Sequence, residues 1–313
     1  MNELTLLSGT ANPELSKNIA KHFNAKLTDM LLSRFADGEF HIQIKENVRG
    51  KNCFILQPTC PPVNENLMQL LLITDALRRS SAKSITAVIP YFGYGRQDRK
   101  SASRVPISAK LVSNLIVASG VNRILAMDLH AGQIQGFFDI PVDHLYGMPV
   151  FIEYFNSKKF KFGTDNIVIV SPDAGGVERA RGFAKKLDCT LAIVDKRRPE
   201  PNKAAIMHII GNVKDKTAII VDDMVDTAGT LIKVATAIRN KGARHVVAAC
   251  SHGILSGDAI KNINESCIEE LIISDSVPLA NKNDKITVLT ISSLFAEAIK
   301  RIHEEQSISA LFM

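Results

Sequence analysis

The sequence predicts an α/β protein with doubly wound parallel sheets. Short apolar runs rich in β-branched residues recur along the chain, and they are nearly continuous, as strands buried on both faces must be. Segments with helical periodicity separate them, and a length of 313 residues favours two domains over one. The predicted strands are Leu4 to Leu7, Cys53 to Leu56, Ile85 to Ile89, Ile124 to Met127, Ile167 to Val170, Leu191 to Val194, Ala218 to Val221, Val246 to Cys250, Leu271 to Ile273 and Ile286 to Leu289.

The predicted helices begin and end at residues with known capping preferences. Proline is favoured in the first turn and glycine just past the last. On this basis the clearest helices follow Asn12-Pro13, run from Ile107 to Ser119 before Gly120, and run from Gly229 to Lys241 before Gly242. Two similar sets of strands flank Tyr146-Gly147, so we place a domain boundary there. The predicted domains are residues 1–146 and 147–302, with a tail at about 303–313 that packs on the first; the two sets are compatible with a remote internal duplication.

Composition limits the functional class. The N-terminus has no basic region followed by an apolar run, and no apolar stretch approaches ~18 residues, so we expect a cytoplasmic protein without a membrane partner. The five cysteines show no C-x-x-C spacing, which argues against a disulfide framework or a zinc site. The net charge of +6 is not concentrated in a basic block, so it indicates phosphorylated small molecules rather than nucleic acid.

One loop carries the clearest chemical signal. The predicted strand that ends at Val221 is followed by Asp222 to Thr230 and then by a helix. Ligands of open α/β sheets bind beyond the carboxyl ends of strands, where a turn of small residues presents backbone N–H groups to an anion. Asp222 and Asp223 would repel a phosphate, so they should face neutral hydroxyls such as a ribose diol, or a bridging Mg²⁺. An ordinary turn capped by Asp and Thr is the alternative, although three acids exceed what capping needs.

The run Val221 to Thr230 resembles the phosphoribosyl-binding motif shared by type I phosphoribosyltransferases and ribose-phosphate pyrophosphokinases. The resemblance implies two similar doubly wound domains of the type I phosphoribosyltransferase kind. In such proteins the end of the run holds the 5-phosphate, while its first two acids lie near the ribose hydroxyls. The residues implied to bind ribose 5-phosphate are Asp222, Asp223, Asp226, Thr227, Ala228, Gly229 and Thr230.

Two further segments resemble the pyrophosphokinases alone. Arg34 to Glu39 offers an aromatic face for a purine and carboxylates for an exocyclic amine, and Tyr94 to Lys100 concentrates cations that suit a polyphosphate. Without the family, the first is only an exposed turn before a strand. The resemblance implies an ATP site, with the first segment reaching into a neighbouring subunit's site. The residues implied to bind ATP are Phe35, Asp37, Glu39, Arg96, Gln97, Asp98 and His130.

Metal-binding and catalytic residues follow from two more segments. A lone histidine just past a strand, such as His130, is more often structural, but the resemblance places it at the Mg²⁺ of ATP with Asp173 nearby. Asp195 to Pro199 contains three consecutive cations, which alone indicate either a solvated basic turn or a mobile loop that closes over an anion. The resemblance makes it the flexible catalytic loop, in which Lys196 and Arg198 reach the transferred phosphates.

Together these segments imply that the chain uses Mg²⁺ and transfers the diphosphoryl group of ATP to the C1 hydroxyl of ribose 5-phosphate, for nucleotide biosynthesis. A phosphoribosyltransferase should lack Phe35, the Arg96 cluster and His130, and a non-catalytic regulatory homologue should have lost Lys196 or the acidic loop; neither loss is visible. The phosphate-regulated class of the family further implies a homohexamer, with ADP and inorganic phosphate as regulators. The implied regulatory residues are Arg49, Arg104, Ser307 and Ser309.

Overall fold

The computed structural model describes residues 4–157, 160–163, 166–197 and 206–311, with the backbone alone for residues 196, 197, 206 and 207. The chain divides into two compact units. Unit 1 comprises Met1–Tyr146, Ser276–Pro278 and Thr290–Met313, and unit 2 comprises Gly147–Asp275 and Leu279–Leu289. No helix among these described residues is long and apolar enough to cross a bilayer.

Helices are interspersed among the strands along the chain, with 3₁₀ turns at Gly132–Phe137 and Ser309–Leu311. Up to residue 146 the elements are β1 (Leu4–Ser8), α1 (Pro13–His22), β2 (Met30–Arg34), β3 (Phe40–Ile44), β4 (Asn52–Leu56), α2 (Val63–Arg79), β5 (Ser84–Ile89), α3 (Ser108–Ser119), β6 (Arg123–Met127) and β7 (Val142–Leu145). From residue 147 they are α4 (Met148–Phe155), β8 (Ile167–Ser171), α5 (Val177–Lys186), β9 (Thr190–Arg197), β10 (Ile206–Ile210), β11 (Thr217–Val225), α6 (Gly229–Asn240), β12 (His245–Gly253), α7 (Ala259–Glu265), β13 (Glu270–Ser274), β14 (Ile286–Leu289) and α8 (Ser292–His303).

Unit 1 is built on a five-stranded sheet in the order β1-β4-β5-β6-β7. All its neighbouring strands are parallel. Residues from one face of the sheet, such as Ile55, Ala87 and Ala126, form a buried core with α2 and α3. The antiparallel pair β2-β3 stands apart as a two-stranded sheet.

Unit 2 contains a seven-stranded sheet in the order β10-β9-β8-β11-β12-β13-β14. Alternate residues of its central strand face opposite layers, as the pleat of a strand requires. Ala218 and Ile220 pack in the core that includes α6 and α7, whereas Ile219 and Val221 pack in the core that includes α4 and α5. The predicted doubly wound parallel architecture is therefore confirmed, because helices cover both faces of this sheet.

The predicted helix ends also agree with the structure. Asn12 caps α1, since its Oδ1 accepts a hydrogen bond from the backbone N of Leu15 at 3.1 Å. Helix α3 ends where Gly120 adopts a left-handed φ of 112°. Helix α6 ends at Asn240, and Gly242 follows with a φ of 90°. Glycine is favoured at both positions because it has no Cβ to clash in this conformation.

The strands that the sequence did not predict are those without a continuous apolar run. Strands β2 and β3 are only half-buried, β7 includes Asp143 and His144, and β10 pairs antiparallel with β9 at the sheet edge. A strand exposed on one side needs fewer apolar residues, so the hydrophobic pattern that would predict it is weaker.

Helix α8 departs from the predicted domain organisation. Residues 290–302 were assigned from the sequence to the second domain, but they group with unit 1. The cause is packing between α8 and α1, supported by a 3.3 Å contact between His22 Nε2 and Ser292 Oγ. At its other end, His303 Nδ1 lies 3.5 Å from Asn52 Nδ2 on β4. Sequence order does not reveal that a C-terminal helix returns to the first unit.

Candidate functional site

The predicted phosphate loop joins β11 to α6 at the centre of the unit 2 sheet. Strand β11 extends through Asp222 and Asp223 to Val225, so both acids lie on the strand rather than in the turn. The turn proper is Asp226 to Ala228, and α6 begins at Gly229. Thr227, Gly229 and Thr230 are exposed, which leaves their backbone and hydroxyl groups accessible to a ligand.

Ala228 gives the loop its shape. It precedes α6 with a φ of 62°, in the left-handed region, and only 4% of it is exposed. Ala228 is the N-cap residue of α6, and its side chain makes no capping hydrogen bond to the helix. The first-turn N–H groups of a helix have no intrahelical acceptor, so the loop presents aligned donors beside Thr227 and Thr230. This arrangement suits a phosphate group.

Arg179 on α5 faces the acid pair, and the sequence reasoning missed it. Its Nη1 lies 3.4 Å from Asp222 Oδ1 and 3.6 Å from Asp223 Oδ1. Strand β8 lies next to β11 in the sheet, so the helix after β8 brings Arg179 to these carboxylates. The sequence signal was its position shortly after Ser171-Pro172-Asp173, combined with the rule that neighbouring parallel strands end at one edge.

Burial disfavours ionisation of the Asp222 carboxyl group. Desolvation and the adjacent Asp223 carboxylate raise the pKa of Asp222 from 3.8 to about 8, and Arg179 opposes this shift. A backbone hydrogen bond from Asp223 N to Asp222 Oδ1, at 2.9 Å, also favours the ionised form. The Asp222 carboxyl group therefore keeps its proton to a higher pH than an ordinary aspartate does.

The raised pKa of Asp222 predicts a pH-dependent stability. Between 3.8 and about 8 the folded protein binds more protons than the unfolded chain, so its unfolding free energy should fall as pH rises through this window. Because the side chain is 30% exposed, we expect an effect of only roughly 1 kcal/mol. Urea unfolding at pH 5.5 and pH 8.5 measures it. In Asp222→Asn, which cannot ionise, this loss should vanish; an equal loss in both proteins would contradict the assignment.

Two other predicted residues of the second unit, Asp173 and Lys196, map to the same sheet edge. Asp173 follows β8, and its Oδ1 accepts a hydrogen bond from Gly176 N at 3.0 Å. Lys196 lies at the carboxyl end of β9, with its backbone opposite Met207 of β10. Arg198 lies outside the described residues. Since β9, β8 and β11 are parallel neighbours, their carboxyl ends place Lys196, Asp173 and the phosphate loop along one edge.

In unit 1 the structure brings the segment Tyr94 to Lys100 together with the turn after β6. Gly95 packs close to His130, since a side-chain Cβ at position 95 would lie only 3.7 Å from the Cβ of His130. Gln133 Nε2 donates to Asp98 Oδ2 at 2.9 Å, and Gln97 O accepts from the backbone N of Ala109 at 3.2 Å. Arg96 and His130 are both exposed. The predicted polyphosphate cations therefore lie at the carboxyl ends of β5 and β6, beside His130.

Comparisons with known proteins decide which family carries this pair of sites. The family model for the N-terminal domain of ribose phosphate pyrophosphokinase matches residues 4–120, and that for the phosphoribosyl synthetase-associated domain matches residues 197–313. A ribose-phosphate pyrophosphokinase of Helicobacter pylori strain J99 is 54% identical over 312 residues, covering 100% of this chain and 97% of that protein. The chain belongs to the ribose-phosphate pyrophosphokinase family.

Other relatives extend the match across kingdoms and to a solved structure. The chloroplastic ribose-phosphate pyrophosphokinase 2 of Arabidopsis thaliana is 51% identical, covering 99% of this chain and 78% of that protein. The crystal structure of a phosphoribosylpyrophosphate synthetase from Mycobacterium smegmatis superposes with a TM-score of 0.91 at 38% identity, covering 97% of this chain and all of that one. The fold predicted from the sequence is thus that of a ribose-phosphate pyrophosphokinase.

Within this pyrophosphokinase fold, Phe35, Asp37 and Glu39 lie on the turn between β2 and β3. The turn is closed by its own hydrogen bonds, from Phe35 N to Glu39 O at 2.9 Å and from Glu39 N to Asp37 Oδ1 at 3.1 Å. Arg34 ties it to α2 through an ion pair with Glu65. Phe35 is nevertheless 54% exposed, which is a large apolar area to leave in water.

The predicted metal ligands are His130 and Asp173. The described residues contain no group of three or more His, Cys, Asp or Glu side chains arranged to hold a metal ion. His130 belongs to unit 1 and Asp173 to unit 2. Mg²⁺ commonly keeps several waters and takes its remaining ligands from substrate phosphates, so isolated protein ligands fit it better than they fit zinc or calcium.

The four predicted regulatory residues all belong to unit 1 and are exposed. The structure brings two of them together, since Ser307 Oγ donates to Ser309 Oγ at 3.1 Å. Arg301 supports this turn by donating from Nη1 to Ser307 O at 3.0 Å. No side-chain hydrogen bond within the described part of the chain links Arg49 or Arg104 to the serines.

Proposed function

We propose that this chain transfers the diphosphoryl group of Mg-ATP to the C1 hydroxyl of D-ribose 5-phosphate, giving 5-phospho-α-D-ribose 1-diphosphate and AMP. The observation that carries the proposal is the full-length match to proteins named ribose-phosphate pyrophosphokinase, which includes both the phosphate loop and the ATP segments. A phosphoribosyltransferase would need only the loop. The product would serve nucleotide biosynthesis.

The residues of unit 2 would hold the sugar phosphate. The open N–H groups at the start of α6, with Thr227 and Thr230, would bind the 5-phosphate. The side-chain oxygens of Asp222 and Asp223 would accept hydrogen bonds from the ribose hydroxyls, which are neutral and can approach this acid pair. This binding would direct the C1 hydroxyl toward the sheet edge at which Lys196 lies near the carboxyl end of β9.

The residues of unit 1 would hold ATP. Arg96, with Gln97 and Asp98 beside it, would orient the polyphosphate, and Phe35 would supply an aromatic face for the purine.

His130 and Asp173 are the residues that would hold Mg²⁺, which would supply charge neutralisation to the phosphate oxygens when bound. Lys196 and Arg198 would stabilise the charge that spreads over the transferred group.

The proposal is tested by the products. We incubate the protein with ribose 5-phosphate and Mg-ATP and follow the reaction by ³¹P NMR. Release of AMP together with a new diphosphate ester supports the proposed transfer. Release of ADP would mean a simple kinase and would contradict it. Omitting Mg²⁺ should abolish the reaction, and adding it back should restore it.

We propose that the active form is a homo-oligomer, as a hexamer built from dimers, in which Phe35 completes a neighbour's ATP site. The exposed Phe35 on an ordered turn supports this. Phe35→Ala and Lys196→Ala should each be inactive alone, but their co-expressed mixture should regain activity, since some sites then combine an intact turn with an intact Lys196. Light scattering that shows a fully active monomer, or a mixture without regained activity, would contradict the proposal.

We propose regulation of the phosphate-regulated kind, with inhibition by ADP and activation by inorganic phosphate at Arg49, Arg104, Ser307 and Ser309. Arginine and serine side chains are hydrogen-bond donors that suit an oxyanion. Arg104→Ala should remove phosphate activation and weaken ADP inhibition. Arg79→Ala is the matched control, because Arg79 is exposed on α2 and pairs with Asp75 in the same helix. An Arg104→Ala enzyme that keeps both responses would contradict the proposed regulatory site.

The cytoplasmic location expected from the sequence stays a prediction.

A further inference from the structure

The turn that presents His130 is held by strand β7. Asp128 N donates to Leu145 O at 3.0 Å, and the next backbone N, that of Leu129, donates to His144 Nε2 at 2.9 Å. Both Leu129 and His144 are buried, at 5% and 7% exposure. A buried backbone N–H must be paired, so the His144 ring satisfies the N–H of Leu129, the residue immediately before His130.

The His144 contact reaches beyond the end of the sheet ladder. The parallel pairing of β6 and β7 places Ala126 opposite His144 and ends with Met127 opposite Leu145. The His144 side chain nevertheless bonds to Leu129, three residues past its ladder partner. It therefore holds a part of the turn that the sheet's own ladder does not hold.

The turn needs such support because its backbone is unusual. Asp128 has a φ of 41°, in the left-handed region that residues other than glycine seldom adopt. A conformation of this kind persists only where the surroundings hold it, and it concentrates at ligand sites. His144 is well suited, because its ring contacts Tyr146 at 4.7 Å between centroids and stays buried.

The hydrogen bond also defines which nitrogen of the His144 ring carries the proton. Since Nε2 accepts from Leu129 N, it carries no proton, and a neutral ring must then carry its proton on Nδ1. A leucine at this position would fill much of the space without accepting. A glutamine could place an amide oxygen near the position of Nε2.

We propose that His144 is a positioning residue for His130, which it holds at the ATP end of unit 1 by accepting the Leu129 N–H bond. The inference rests on the proposed function of His130 in the ATP site. His144 does not touch the reacting atoms in this scheme. Its contribution is to keep the turn Asp128 to His130 in the strained conformation that exposes the His130 side chain.

The experiment compares His144→Leu, His144→Gln and His130→Ala with the wild type, using steady-state AMP formation with each substrate varied. His144→Leu should raise the KM for Mg-ATP roughly tenfold, the scale of one lost buried hydrogen bond, and leave the KM for ribose 5-phosphate unchanged. His130→Ala should show the same substrate selectivity. His144→Gln should restore the KM for Mg-ATP to near the wild-type value.

The outcomes separate this inference from the proposed function. A wild type that forms no AMP overturns the proposed function itself. If the wild type is active, an unchanged KM for Mg-ATP in His144→Leu overturns the positioning role, and so does a defect that affects both substrates equally. Should the leucine variant fail to fold, His144→Gln decides alone: a wild-type KM for Mg-ATP supports the role, and a raised one overturns it.

Discussion

Replacement of Lys196 by alanine is expected to lower kcat at least ~10²-fold while leaving the KM for ribose 5-phosphate nearly unchanged. Lys196 lies at the carboxyl end of β9, on the same sheet edge as the phosphate loop, but it is not part of that loop. A cation that meets the transferred phosphates only in the transition state stabilises that state more than the bound substrates. Its loss should therefore affect the rate. Initial rates across a range of ribose 5-phosphate concentrations measure both constants.

The matched control for this experiment is Lys216→Ala. Lys216 immediately precedes β11 and donates from Nζ to Thr190 Oγ1 at 2.9 Å, so it lies at the amino end of the same strands. Its removal changes the net charge equally but should leave kcat near the wild-type value. If Lys196→Ala instead raised the KM for ribose 5-phosphate and spared kcat, Lys196 would be a ground-state anchor, and its proposed role in stabilising the transition state would be wrong.

Ala228→Val is expected to raise the KM for ribose 5-phosphate at least ~10-fold. Ala228 has a φ of 62° and is almost fully buried, so a β-branched side chain there meets both backbone strain and crowding. The loop should respond by shifting, and the N–H groups at the start of α6 would then no longer converge on one point. Binding of ribose 5-phosphate, measured by isothermal titration without ATP, tests the affinity directly.

Ala228→Gly is the matched control, because glycine adopts a left-handed φ without strain. Its affinity for ribose 5-phosphate should stay near the wild-type value. Asp226→Ala, at the first residue of the turn, should also weaken sugar-phosphate binding and spare the rate constant more than Lys196→Ala does. Equal affinities of Ala228→Val and Ala228→Gly would contradict a role for the left-handed residue in shaping the site.

Local sequence was sufficient wherever the relevant residues are contiguous. The buried strands of both sheets were predicted, because a strand covered on two faces must be apolar along its whole length. The phosphate loop was predicted for a similar reason: the strand, the acids, the small-residue turn and the helix start follow one another between Thr217 and Asn240. The resemblance to ribose-phosphate pyrophosphokinases then supplied the predicted roles of the ATP segments and of Lys196. The residue types in these segments are by themselves also compatible with exposed turns.

The sequence by itself therefore determined the α/β class, the central strands and the strand, turn and helix that carry the predicted phosphate loop, all of which depend on neighbours along the chain. The tertiary structure alone decided which distant residues meet. Arg179 reaches Asp222 only because β8 and β11 are adjacent, and His144 reaches Leu129 only because β7 lies beside β6. The raised pKa of Asp222 and the return of α8 to unit 1 have the same origin, since burial and packing depend on the residues that surround a group in space.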